Sequence, residues 1–202
     1  MSHAHHAGVA EWGDVLAFWF GAPDSPEFGT TRPLWFTKSD ATDAAIRERF
    51  LATHGAARRG DLDDWHGDPA AAPRAALAFV IVLDQFSRNL FRHSAEAFAG
   101  DAKALAAARK LVSSNGYGAL QPVERWFAGM PFEHSEDRTM QELSLKLFAR
   151  LADDGLAEPL KWAKQHAEII ERFGRFPHRN GVLGRASKPD EIEFLTQPGS
   201  TF

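Results

Sequence analysis

Apolar residues recur along this chain every three or four positions, and no segment alternates regularly between apolar and polar residues. Trp12, Val15 and Trp19 illustrate the pattern, since they occupy positions i, i+3 and i+7 of one helix face. This spacing is typical of an amphipathic helix, whereas a half-buried strand alternates with a period of two. The sequence therefore predicts an all-α fold.

Capping residues, prolines and glycines divide the chain into roughly seven to eight predicted helices with short connectors. Serine and aspartate cap helix starts, proline suits the first turn, and glycine suits the residue after the last turn. The predicted helices are Trp12 to Gly21, Asp40 to about Arg59, Pro73 to about Asn89, Asp101 to near Gly116, a short one from Pro122 that ends before Pro131, Ser135 to near Gly155, Pro159 to Gly174, and a short last turn after Ser187.

The size of the chain, 202 residues, is that of one domain. No break in composition and no repeat of fixed period divides it, so we predict a single domain over residues 11–202. Residues 1–10 are predicted to be a flexible tail. We interpret the three histidines there, His3, His5 and His6, as part of a frayed end rather than as a metal site.

The overall charge argues against a general nucleic-acid binder, because 27 acidic residues outnumber 23 basic ones. Without cysteine, the chain has neither disulfides nor thiolate chemistry. The longest apolar run, Ala75 to Leu83, is far shorter than the about 20 residues that span a membrane. We therefore expect a cytoplasmic protein with neither nucleic acid nor membrane as a partner.

The first polar segment follows directly on this apolar run. A helical wheel places Asp84, Arg88 and Arg92 in one arc, with Gln85 beside them. Asp84 and Arg88 form an i, i+4 pair, whereas the only local acidic partner of Arg92 is Glu96. The arc predicts either the floor of an anion-binding pocket or structural ion pairs between helices.

A second polar segment begins with Glu133 and His134 and continues through Ser135, Glu136 and Asp137. The last three suit a helix start, where acidic side chains complement the helix dipole. Glu133 and His134 are not needed for capping, so they are candidates for acid–base groups or metal ligands. Their spacing matches no metal motif such as HExxH or a histidine pair at i, i+4, and we predict no metal site.

A third polar segment carries four arginines within fourteen residues, which is unusual in an acidic chain. These residues are Arg172, Arg175, Arg179 and Arg185, with His178 and Asn180 between them. Arginine presents a planar fork of donors that suits carboxylate or phosphate. The loop is therefore either paired with local acidic residues or open to an anion.

The motifs of this chain, taken in order, resemble a bacterial family known as domain of unknown function 924. They are VLAFWFG at 15–21, LDQF at 83–86 with RN at 88–89 and FR at 91–92, MPFEHSED at 130–137, RFGRFPHRN at 172–180 with LGR at 183–185, and PGS at 198–200 with Phe202. The resemblance implies a tetratricopeptide-like fold, in which antiparallel helix pairs form a right-handed superhelical arrangement. It implies no reaction. Ser87 departs from the pattern, which usually has proline there.

Three functional hypotheses follow, and the first is a pocket for a small anionic ligand with acid–base groups beside it. Its ligand-binding candidates are Gln85, Arg88, Arg92, Arg175, Arg179 and Asn180, and its catalytic candidates are Asp84, Glu133, His134 and His178. The second is a helical scaffold for a protein partner or a homodimer. The third is an ion-pair network of purely structural role. The residues identify no cofactor, and they leave enzyme and non-catalytic binder open.

Overall fold

The structure, a computed structural model, describes residues 8–200, which contain α-helices, short 3-10 helices, a π-helical turn and no strand. The all-α prediction is therefore confirmed for this part of the chain. The α-helices are α1 (Trp12–Phe20), α2 (Asp40–Arg59), α3 (Pro73–Val80), α4 (Ser87–Leu90), α5 (Asp101–Ser113), α6 (Pro122–Glu133), α7 (Arg138–Asp153), α8 (Glu158–Phe173) and α9 (Pro189–Leu195). Within residues 8–200, no helix is both long and apolar enough to cross a bilayer.

Several predicted helix ends are confirmed by the caps that form there. Ser39 accepts a hydrogen bond from the backbone of Thr42 at the start of α2. Gly60 and Gly174 follow α2 and α8 in the left-handed conformation, with φ of 96° and 71°. This conformation favours glycine, because a Cβ atom there meets the neighbouring backbone.

Three other boundaries differ from the prediction. Asp101 is the first residue of α5 and Gly100 its cap, so the Asp101 carboxylate is available for other contacts. Helix α7 is capped by Asp137 rather than Ser135, because the Asp137 side chain accepts hydrogen bonds from two backbone amides of the first turn. Helix α6 continues through Pro131, which lies close to its end.

The helix that begins at Pro73 lies at the centre of the molecule, and residues 76–83 have no exposed surface. Helices α1, α2, α5 and α6 pack around it, and edge-to-face aromatic contacts such as Trp19–Phe127 and Phe20–Trp35 fill the spaces between them. Helices α7 and α8 pack successively on the outside of α6. This arrangement buries one main hydrophobic core, as expected for a single domain.

The predicted tail over residues 1–10 lies mostly outside the described residues, as do its three histidines. Near the start of the described residues, Val9 and Ala10 pack against the core, and the amide of Ala10 donates to Thr53 Oγ1 at 2.8 Å.

The central helix widens into a π-helical turn over Ile81–Phe86, and this turn contains Asp84 and Gln85. Turns of this kind are rare and occur frequently at functional sites. The widened turn changes the angular spacing assumed by the helical wheel, and the helix ends at Leu90. Arg92 therefore lies beyond the helix and outside the predicted polar arc.

His54 on α2 is buried against this turn, with 3% of its surface exposed. Ser87 Oγ donates to the carbonyl of Leu83 at 2.6 Å, so it accepts from His54 Nε2 at 2.8 Å. Burial, assisted by the charge of Arg58, lowers the pKa of His54 to about 4, against the opposing charge of Glu96. His54 is therefore a neutral donor at pH 7.

We expect His54 to make the fold less stable as the pH falls from 7 to 4. The pKa of His54 is depressed in the folded state from its ordinary 6.5, so the unfolded chain takes up the proton first. Neutral His54 contributes about 3 kcal/mol to the free energy of unfolding. This contribution is fully present above about pH 6.5 and is lost as the pH falls towards 4. Urea denaturation should show that the free energy of unfolding falls less steeply with decreasing pH in His54→Gln than in the wild type. The matched control is His93→Asn at an exposed position, and equal slopes in all three proteins would contradict the account.

Candidate functional site

Asp84 lies at the centre of a buried polar cluster, where the π turn meets the end of α6. Only 1% of its surface is exposed. Asp84 Oδ1 accepts from His134 Nδ1 at 2.8 Å, and Oδ2 accepts from Gln85 Nε2 at 2.5 Å. Arg88 Nη1 lies 3.3 Å from Oδ1. Burial alone would raise the pKa of Asp84, but the charge of Arg88 and the hydrogen bonds from His134 and Gln85 hold it below its ordinary value, so the carboxyl is ionised.

His134 receives its orientation from this carboxylate. Burial lowers the pKa of His134 below its ordinary value, although the charge of Asp84 acts in the opposite direction. A neutral imidazole carries one proton, and the contact with a carboxylate places that proton on Nδ1. The lone pair of the ring is then on Nε2.

Glu133 precedes His134 at the end of α6 and is 1% exposed. Its Oε1 lies 3.1 Å from His166 Nδ1 on α8, whereas its Oε2 has no hydrogen-bond partner anywhere in residues 8–200. Burial, together with the negative charge of Asp84, raises the pKa of Glu133 to about 8.

His166 is also buried, and its Nδ1 lies 3.0 Å from the carbonyl oxygen of Trp162. Burial lowers the pKa of His166 to about 3, so its ring is neutral. One potential ligand atom from each of Glu133, His134 and His166 lies within 4.8 Å of the other two. The fold therefore unites two residues of the second polar segment with a histidine from a different helix.

Arg88 joins Asp84 to the start of α5. Its Nη1 and Nη2 donate to the two carboxylate oxygens of Asp101 at 3.1 and 3.2 Å, and Nη1 also donates to the Asp84 carbonyl at 2.5 Å. The charge of Arg88 is thus matched by two nearby carboxylates.

Arg179, from the third polar segment, approaches the same carboxylate less closely. Its Nη1 is 3.7 Å from Asp101 Oδ2, and its Nε makes no hydrogen bond to any described residue although it is buried. The guanidinium lies over the rings of Phe98 and Phe176, with 4.8 and 4.4 Å to the centroids. Burial, and then the charge of Arg88, lowers the pKa of Arg179 to about 10.

His178 lies next to Arg179, and its ring centroid is 5.7 Å from that of Phe176. Burial and the charge of Arg179 lower the pKa of His178 to about 4. The structure thus brings six of the predicted residues to one region. They are Asp84, Gln85, Arg88, Glu133, His134 and Arg179, with His178 at the edge.

Arg92 lies outside this region. It donates to Asp43 on α2, and Asn89 donates to the same carboxylate at 2.8 Å. The sequence pointed to Glu96 as the acidic partner of Arg92, but Glu96 pairs with Arg58. The partner comes from another helix, which local spacing could not indicate.

Arg175 and Asn180 also lie outside the cluster, since both contact Glu191 on α9. Arg175 donates to both Glu191 oxygens at 2.7 and 2.8 Å, and Asn180 Nδ2 donates to Oε2 at 3.2 Å. Arg185 forms a similar two-pronged pair with Glu136, at 2.7 and 3.0 Å. These arginines fix the last loop in place, as the structural hypothesis expects.

Sequence reasoning missed two members of the cluster, Asp101 and His166. The sequence predicts Asp101 as a helix cap. His166 lies on the buried face of α8, at i+3 from Ala163 and i−4 from Ile170. A histidine on an otherwise apolar face was the available signal.

Comparisons with known proteins support the resemblance found in the motifs. A family model described as "Bacterial protein of unknown function (DUF924)" matches residues 15–199. The solved structure of a protein of unknown function from Agrobacterium tumefaciens is 35% identical, with a TM-score of 0.79, and the match covers 91% of this chain and 96% of that one. No curated protein matches.

We expect Gly100→Ala to disturb the cluster from its α5 side. A Cβ atom at Gly100 would lie 2.7 Å from the Leu83 carbonyl oxygen, so the start of α5 would have to move and carry Asp101 away from Arg88. Such overpacking costs about 1–3 kcal/mol of unfolding free energy. The control is Gly118→Ala, where an added Cβ meets no atom within 4 Å. Chemical denaturation of both variants tests this, and equal stabilities would count against it.

Proposed function

The chain belongs to the bacterial family of unknown function whose model matches it, and we propose that its buried cluster binds a small anionic molecule at Arg179. The observation that supports this function is the environment of that guanidinium. It is 6% exposed, its closest carboxylate oxygen is 3.7 Å away, and its Nε lacks a partner in the described part of the chain.

The charges around Arg179 favour an anion rather than a neutral ligand. Arg88 already uses both oxygens of Asp101, so the two guanidinium groups share one carboxylate. A buried charge without a close partner is costly, and an oxyanion would supply the missing negative charge together with acceptors for Nε and the Nη atoms.

The aromatic rings of Phe98 and Phe176 support the same interpretation. They lie against the guanidinium and restrict its orientation, so less conformational entropy is lost when a ligand binds. A planar fork held in this way suits a carboxylate or a phosphate group, to which arginine donates two parallel hydrogen bonds.

The predicted acid–base catalysis by Asp84, Glu133, His134 and His178 stays a prediction alongside this binding role. The contact between Asp84 and His134 is the geometry that supports it. The predicted cytoplasmic location and the predicted lack of nucleic-acid and membrane partners also stay expectations.

A second candidate function is the helical interaction scaffold. An open groove of about 460 Å³ between α1 and α2 favours it, since Phe18, Leu34 and Arg49 contribute to its lining. The successive packing of α6, α7 and α8 supports the tetratricopeptide-like arrangement that such scaffolds use.

We expect a thermal-shift screen with inorganic phosphate, sulfate and small di- and tricarboxylates to identify a stabilising anion. An anion at 100 times its Kd adds about 2.7 kcal/mol to the free energy of unfolding. In a domain of this size, that raises Tm by about 5–11 °C. Arg179→Gln should abolish the rise, because it removes the charge that the anion contacts.

The matched control is Arg92→Gln, which removes an arginine that is paired with Asp43 away from the cluster. It should keep the rise in Tm. A screen without any stabilising anion, combined with an Arg179→Gln protein that melts far below the wild type, would refute the proposal and assign Arg179 to the structural network.

A further inference from the structure

We infer that Glu133, His134 and His166 form a binding site for a divalent transition-metal ion of the Zn²⁺ type. One ligand atom from each side chain lies within 4.8 Å of the other two. Ligand atoms around a tetrahedral Zn²⁺ are about 3.4 Å apart, since Zn–N and Zn–O bonds are about 2.0–2.1 Å long. Side-chain movements of about 1 Å would therefore close the site.

The carboxylate of Glu133 is the second observation that points to an ion. Its Oε1 already contacts His166, and its buried Oε2 faces no donor within residues 8–200. A buried carboxylate is paired with donors or coordinates a metal ion, and an ion that binds the Glu133 carboxyl displaces its proton. A cation between the three side chains would give this oxygen its partner.

His134 is held as a metal-binding histidine usually is. In metal sites, the ring nitrogen that does not bind the ion donates its proton to a carboxylate or a backbone carbonyl. Here, His134 Nδ1 contacts the Asp84 carboxylate at 2.8 Å, and His166 Nδ1 contacts the Trp162 carbonyl at 3.0 Å. The contact with Asp84 keeps the proton of His134 on Nδ1 and its lone pair on Nε2, whereas Nδ1 of His166 also lies 3.1 Å from Glu133 Oε1.

The donor set selects the class of ion. Two imidazoles and one carboxylate suit Zn²⁺ and its first-row neighbours, whereas Mg²⁺ and Ca²⁺ prefer oxygen ligands throughout. Three protein ligands leave a coordination position for water or another molecule, as in catalytic zinc sites.

The metal site is separate from the anion site but adjoins it. The ring of Phe176 lies 5.5 Å from the His166 ring and 4.4 Å from the Arg179 guanidinium. The metal assignment does not depend on the proposed anion binding, and the two can be tested independently.

Calorimetric titration of the full chain with Zn²⁺ at pH 7 tests the assignment. His3, His5 and His6 are first replaced by alanine in every protein, because these residues offer a competing set of imidazoles. We expect one Zn²⁺ per chain and no heat with Mg²⁺. Glu133→Gln and His166→Gln should each weaken Zn²⁺ binding by at least about 100-fold, because each removes a ligand. Asp84→Asn should weaken it by about 10–100-fold, because it releases the His134 ring.

His93→Asn is the matched control, since it replaces an exposed histidine outside the cluster and should leave Zn²⁺ affinity unchanged. No binding in the tail-substituted protein would overturn the assignment, and so would full affinity in both Glu133→Gln and His166→Gln. Should these variants fail to fold by circular dichroism, Co²⁺ absorption of the tail-substituted protein decides. Intense visible bands that Zn²⁺ removes support the site, and the weak spectrum of hydrated Co²⁺ contradicts it.

Arg179→Gln separates the two proposals. It should retain Zn²⁺ binding while it loses the anion, whereas Glu133→Gln should lose Zn²⁺ and retain the anion. Loss of Zn²⁺ binding in a folded Arg179→Gln protein would contradict the ligand set named here.

Discussion

The ionised carboxylate of Asp84, sealed in the protein core, is the interaction on which the rest of the site depends. A buried carboxylate is stable only when charges and donors surround it. Arg88 and Gln85 come from its own helix, whereas His134 comes from the end of α6. The interactions that stabilise this one carboxylate therefore fix how the central helix packs against the end of α6. They also orient the imidazole on which both acid–base and metal chemistry would depend.

The arginines of this chain divide into two groups by the closeness of their acidic partners. Arg175 and Arg185 each face both oxygens of one carboxylate, Glu191 and Glu136, and they hold the last loop on the helices. Arg179, in the same loop, has two aromatic rings and a distant carboxylate instead. The structural hypothesis therefore fits Arg175 and Arg185, whereas the proposed anion site concerns Arg179.

Local signals predicted the fold better than the site. The cap at Ser39 and the glycine at Gly60 marked the ends of α2, because such signals act within one helical turn. The sequence also pointed to Asp84, which lies in the polar arc of the central helix, and to Glu133 and His134, which capping does not require. The role of His166 could not be predicted, because α8 is brought to α6 by packing across α7. Arg92 was misplaced for a related reason, since the widened π turn changes the direction of the residues that follow it.

The most direct test of the central role of Asp84 is a measurement of the histidine tautomers by long-range ¹H–¹⁵N correlation NMR at pH 7. The account predicts that His134 is neutral with its proton on Nδ1, and that this preference is lost in Asp84→Asn. A proton on Nε2 of His134, a doubly protonated ring, or an unchanged tautomer in Asp84→Asn would contradict it. In that case, Asp84 would not orient the imidazole, and the site would need a different organising interaction.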